Sequence, residues 1–148
     1  MTGWRMGYAV WPPALVEGAT RLAVNCHSCV NAATQYAGIA ALDGHQDAVD
    51  DMVRAFEERR RVIVDGLNAI PGFRCRTPGG AFYAFPNVQG TGLDARSLQR
   101  RLLEKAGVAT VAGTSFGHLG EGFIRFSYAN SIDNIQEALK RIRTLLLD

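Results

Sequence analysis

Cysteine occurs three times in the 148 residues, at Cys26, Cys29 and Cys75. An odd number of scattered thiols does not build a disulfide framework. No apolar run reaches the roughly 18 residues that a membrane span needs. No basic stretch followed by an apolar core, the mark of a secretory leader, opens the chain. A net charge of +2 is too small to argue for nucleic acid or an anionic membrane. Repeats and low-complexity tracts are absent. These absences leave a cytoplasmic protein with reduced thiols as the expectation, with neither nucleic-acid nor membrane partners. What is present is a composition of 47% hydrophobic and 20% charged residues, that of a soluble globular protein. A chain of this length can bury a real core.

The apolar pattern divides the chain. Met6 to Val10 is short and apolar, ends at Pro12-Pro13 and reads as a strand. Ala14 to Val24 reads as a helix, interrupted by Asn25 to Cys29, and Val30 to Leu42 as a second helix. This second helix is rich in small residues and apolar on most sides, a pattern that predicts burial by other parts of the protein. Val49, Met52, Val53, Phe56, Ile63, Leu67 and Ile70 then recur at helical spacing, with Asp47 as N-cap and Pro71-Gly72 as stop. Such a helix is about 35 Å long, more than a small domain needs, and suits a connector between two lobes. From Phe73 onward the expected order is β-β-α-β-β-α. Its strands are Phe73 to Thr77, Ala81 to Pro86, Val108 to Val111 and Phe123 to Ala129; its helices are Asp94 to Ala106 and a last one capped by Ser131. That order makes a two-layer α+β lobe with a mixed or antiparallel sheet. Residues 1–45 make no lobe: one strand and two apolar helices leave most of their apolar surface without partners.

Four features carry candidate chemistry. Cys26-His27-Ser28-Cys29 has C-x-x-C spacing. A redox pair wants its first cysteine at a helix N-terminus after a strand, and a zinc site wants a second ligand pair. Only Cys75, His45 and His118 remain, scattered singly, so a structural or incidental role is favoured and no metal is expected. The glycine-studded segment Gly113 to Gly122 leads into a strand, whereas a phosphate cradle leads into a helix. It reads better as a mobile loop beside a site. Arg125 stands in an apolar strand whose alternation puts Phe123, Arg125 and Ser127 on one face and Ile124, Phe126 and Tyr128 on the other. A partly desolvated guanidinium needs an anion: an Asp or Glu of the same chain, or a ligand carboxylate gripped by two parallel hydrogen bonds. The strand alone leaves both open. Arg5, after Thr2-Gly3-Trp4, sits where glycine lets a ligand approach and arginine can take a phosphate, although the same residues suit a surface turn.

Together these segments resemble the class I/II pyridoxal-phosphate-dependent aminotransferases, the fold-type-I group that includes aspartate and aromatic aminotransferases. "MTGWRMG" (Met1 to Gly7) resembles the second half of that family's cofactor-attachment motif. "GGAFYAFP" (Gly79 to Pro86), "VATVAGTSFG" (Val108 to Gly117) and "FIRFSYA" (Phe123 to Ala129) resemble its small-domain strand, its proline-glycine/phenylalanine-glycine segment and its substrate-arginine strand, in the family's order. Two departures stand out: Ala112 replaces the usual proline, and "NCHSC" replaces a segment with Ser, Asn and Pro in many members.

The resemblance implies an α/β fold: the C-terminal portion of a fold-type-I transferase. Residues 1–46 would be a remnant of the large domain, 47–70 the interdomain helix and 71–148 the small C-terminal domain. It implies an enzyme that moves an amino group between an amino acid and a 2-keto acid, with pyridoxal 5'-phosphate as cofactor and a homodimer as working form. Arg5 would bind the cofactor phosphate and Arg125 the substrate carboxylate. It also places the Schiff-base lysine four residues before Met1. The chain has only two lysines, Lys105 and Lys140, each expected on the solvated face of a helix. No catalytic residue is therefore expected within the chain, which by itself would be inactive, and Met1 would be internal to a longer protein. The alternative is a stand-alone aminotransferase-like binding or interaction module, or a non-functional remnant.

Overall fold

The computed structural model describes residues 1–147, and its backbone clusters into two units, Met1–Ala48 and Val49–Asp148.

The first unit is helical. A 3-10 turn, Thr2–Trp4, is followed by α1 (Pro13–His27) and α2 (Ala32–Asp43). Proline at the first position of α1 suits a site whose N–H would have no intrahelical partner. The expected interruption at Asn25 does not occur: α1 runs on through Cys26 and His27 and stops at Ser28, where φ turns to 61°. Asn31 caps α2 by accepting a hydrogen bond from the Thr34 amide at 2.9 Å.

The expected strand Met6 to Val10 is not formed. A strand is held by a neighbour's backbone, and no pairing involves this segment among the described residues. Tyr8 and Val10 are exposed. α2 does contain a buried seam, Thr34 and Gly38, with the Met6 side chain against Gly38 in a space that a Cβ would fill. Beyond this seam Tyr36, Ile39 and Leu42 lie open, as do Leu15, Leu22 and Val24 of α1, so the two helices leave much apolar surface without partners in this chain, as the sequence predicts.

The second unit holds the core. The helix α3 (Asp47–Asn68) contributes Ile63, Val64 and Leu67 from its inner face. A three-stranded antiparallel sheet follows in the order β1-β3-β2, with β1 at Tyr83–Ala84, β2 at Val111–Ala112 and β3 at Ile124–Ser127. Helices α4 (Ala95–Ala106) and α5 (Ile132–Leu147) supply Leu98, Leu102, Ile135 and Ile142 to the same core. Asp94 caps α4, and hydrogen bonds from Ser97 hold its carboxyl below the ordinary carboxylate range. Gly107, at φ 65°, closes the far end, where Val108 N–H donates to the Leu102 carbonyl at 3.0 Å. Ser131 Oγ accepts from the Asn134 amide and so caps α5 as expected.

The strands are shorter than their apolar runs. Phe73 to Thr77 pairs only at Arg74, which exchanges both backbone hydrogen bonds with Asn87 at 2.9 Å. The run Ala81 to Pro86 is bent at its start, because Ala81 adopts φ 58°. Val108 is taken up by the α4 terminus, so β2 begins only at Val111.

Leu67 is fully buried and Leu15 is half exposed. Leu67→Ala is therefore expected to destabilise the chain by about 2–5 kcal/mol in urea unfolding, and Leu15→Ala by less than about 0.5 kcal/mol.

Candidate functional site

Alternation along β3 sorts its residues as the sequence predicts. Ile124, Phe126 and Tyr128 are buried in the core; Phe123 and Arg125 on the other face are half-buried, and Ser127 is exposed. The register supplies what surrounds Arg125. Tyr83 stands opposite Ser127 and Ala84 opposite Phe126, so Tyr83 and Phe85 share the Arg125 face. On the other side Val111 stands opposite Arg125.

Two rings bracket the guanidinium. Its carbon Cζ lies 4.4 Å from the Tyr83 ring centroid and 4.8 Å from that of Phe116. Phe85 extends the set, stacked on Phe123 at 5.3 Å and edge-on to Phe116 at 6.3 Å. Of the two partners that the sequence left open, the same-chain carboxylate is not found among the described residues. The ion pairs there use Arg21, Arg54, Arg60 and Arg141, and Arg125 donates no side-chain hydrogen bond. A cation over an aromatic face is attracted by the ring quadrupole without using its N–H groups. The donors of Arg125 are thus left for an external acceptor.

Two local devices hold these rings. Tyr83 follows Ala81, whose left-handed backbone costs a non-glycine residue on the order of 1 kcal/mol. The hydroxyl of buried Tyr128 donates to the Ala81 carbonyl at 2.9 Å and ties that bend to the core. Phe116 ends a 3-10 turn, Gly113–Phe116, inside the glycine-rich segment. Gly113 packs on the Gly120 carbonyl so closely that a Cβ there would overlap it, and Gly113 N–H donates to the Phe123 carbonyl at 2.8 Å. The glycines therefore let this loop close on itself beside the Arg125 face.

Arg5 belongs to the first unit. It is exposed and terminates the opening 3-10 turn at φ 52°, ψ 48°, a left-handed conformation that arginine rarely adopts. It forms no ion pair among the described residues. Lys105 and Lys140 are exposed on α4 and α5. Cys26 and Cys29 are exposed, and the described residues contain no cluster of His, Cys, Asp or Glu that could hold a metal ion. No helix among them is long and apolar enough to cross a membrane.

Sequence reasoning found Arg125 and its face but missed its rings. Tyr83 was accessible in principle through alternation in "AFYAF", once β1 is paired to β3. Phe116 lies in the loop that the sequence places beside a site, but its contact with Arg125 depends on the loop closure.

This architecture has close counterparts among known proteins. The chain superposes on an aromatic aminotransferase from Pyrococcus horikoshii OT3 with a TM-score of 0.91 at 34% identity, over 99% of this chain and 40% of that one. For the aspartate aminotransferase from Rhizobium meliloti the TM-score is 0.87 at 38% identity, over 99% and 38%. The fold is accordingly the C-terminal portion of a fold-type-I aminotransferase. In sequence, the chain is 41% identical over 148 residues to an aspartate aminotransferase of Pyrococcus horikoshii, covering 99% of this chain and 38% of that protein. It is 38% identical over 146 residues to an LL-diaminopimelate aminotransferase of Moorella thermoacetica, covering 99% and 37%. Residues 1–142 match the sequence model of aminotransferase class I and II, and the chain belongs to that family. It spans about two fifths of the length of the curated relatives it matches.

Burial pushes the Cys75 thiol up from its ordinary value, which lowers its reactive thiolate fraction. Iodoacetamide at neutral pH is expected to label Cys26 and Cys29 in the folded chain and Cys75 only after unfolding; mass spectrometry of the tryptic peptides reads the difference.

Proposed function

We propose that the chain is the C-terminal part of a pyridoxal-phosphate-dependent aminotransferase that passes an amino group between an amino acid and a 2-keto acid. Arg125 is its grip on the substrate carboxylate. The observation that carries this reading is the guanidinium itself: half-buried, framed by rings and without a protein anion among the described residues. A carboxylate presents two oxygens in the spacing that the guanidinium fork matches, which fixes both the position and the plane of the bound acid.

For the cofactor the donor set fits in part. Arg5 offers a guanidinium free of ion pairs among the described residues, on a backbone strained enough to suggest a functional constraint. We assign it to the phosphate. Bound pyridoxal phosphate would supply the electron sink for chemistry at the amino-acid Cα. A lysine to carry the cofactor is not offered by the chain: Lys105 and Lys140 are solvated helix residues. The 148 residues by themselves are accordingly proposed to be inactive.

In the same reading, residues 1–46 belong to the large cofactor-binding domain, 47–70 is the connecting helix and 71–148 the small domain. The working enzyme is a cytoplasmic homodimer. The printed names of the relatives include aspartate and LL-diaminopimelate aminotransferases, so family membership leaves the amino donor open.

The test of inactivity is direct. The chain is mixed with pyridoxal phosphate and reduced with borohydride, and the expected result is no stoichiometric modification of one lysine. Complete labelling of Lys105 or Lys140 would refute the proposal. In an active enzyme carrying this chain, Arg125→Lys is expected to raise KM for the carboxylate substrates about ten- to a hundredfold, the value of one charge-assisted hydrogen bond. Unchanged KM and kcat would remove Arg125 from the substrate site.

A further inference from the structure

The rings on Arg125 have a consequence for how the substrate is held. An arginine side chain has four rotatable bonds, and ordering it costs conformational entropy each time it must be fixed. Carboxylate recognition needs the guanidinium plane set in advance, because both N–H···O bonds form only in one orientation. A neighbouring Asp or Glu would also fix the plane, but it would occupy the donors and compete with the substrate. Aromatic faces avoid that conflict: they attract the cation and exclude water while accepting none of its hydrogen bonds.

We propose that Tyr83 and Phe116 are positioning residues that hold the Arg125 guanidinium ready for a substrate carboxylate. This inference rests on the carboxylate role of Arg125 given above. Three observations carry it. Both ring centroids lie within 5 Å of Cζ, at 4.4 and 4.8 Å. No acid and no hydrogen-bond acceptor competes for the guanidinium among the described residues. Each ring has local support: Tyr83 from the pairing of its backbone with Ser127, Phe116 from the Gly113–Gly120 closure and its edge contact with Phe85. The ring of the second contact is not needed to fill the core, for Phe116 is 56% exposed.

The exposure of Phe116 makes it the better probe, since removing its ring leaves the core intact. Two readouts test the role. In the 148-residue chain, the Arg125 Nε–H resonance, assigned by its loss in Arg125→Lys, should lie upfield of arginines that face no ring, through ring-current shielding. Phe116→Leu and Tyr83→Leu should each move it back, and Phe116→Tyr should not. In an active enzyme carrying this chain, Phe116→Leu should raise KM for the keto acid roughly fivefold. The effect on kcat should be smaller, and Phe116→Tyr should restore KM. If Arg125→Lys raises KM while both leucine variants leave KM and the Nε–H resonance at their parent values, the positioning role is overturned and the carboxylate role stands. If Arg125→Lys leaves KM unchanged, the carboxylate role falls, and the positioning role with it.

Discussion

The two-residue period of β3 is the constraint on which the rest of the second unit depends. Successive side chains of a strand point to opposite faces, so burying Ile124, Phe126 and Tyr128 commits Arg125 to the other side. The strand is central in the sheet, paired on both edges, and its apolar face lies in the cluster built by α3, α4 and α5. A register slip of one residue would bury the arginine and expose the core side chains, a change that no local adjustment could offset. The position of Arg125 is thus secured by the hydrophobic effect acting on its neighbours.

What the guanidinium then meets is decided by two backbone irregularities. Left-handed Ala81 bends the chain into β1, and Tyr128, a residue of the core face, holds that bend through its hydroxyl. The Gly113–Gly120 contact folds the intervening loop over the sheet face and brings Phe116 to the cation. Strain and close backbone approach thus stand beside the guanidinium and are repaid by the surrounding packing. The first unit has little of this support. Its helices are well formed and capped, yet most of their apolar side chains are open, and Arg5 stands in a turn rather than in a framed pocket.

Helices were the most legible part of the sequence. Their caps and stops, Asn31, Asp94, Gly107 and Ser131, act locally and could be read or nearly read from composition. Strands were read less well for a physical reason. The apolar run Met6 to Val10 has strand character but no pairing partner among the described residues, so it carries no ladder. Of the run Val108 to Val111 only Val111 enters the strand, and Val108 gives its amide to the α4 terminus. A missing ladder partner decided the first case and the capping of a neighbouring helix the second.

By itself the sequence determined the helices of both units, the two faces of β3, the place of Arg125 opposite the core, and the family to which these segments belong. Each depends on periodicity or on short motifs, which act over a few residues. Tertiary structure alone decided that the partner of Arg125 within the chain is aromatic rather than acidic. Tyr83 and Phe116 lie 42 and 9 residues away along the sequence, and they reach it only through strand pairing and the closure of a glycine loop. Neither is encoded in the neighbourhood of the arginine; both follow from where the core allows the chain to return.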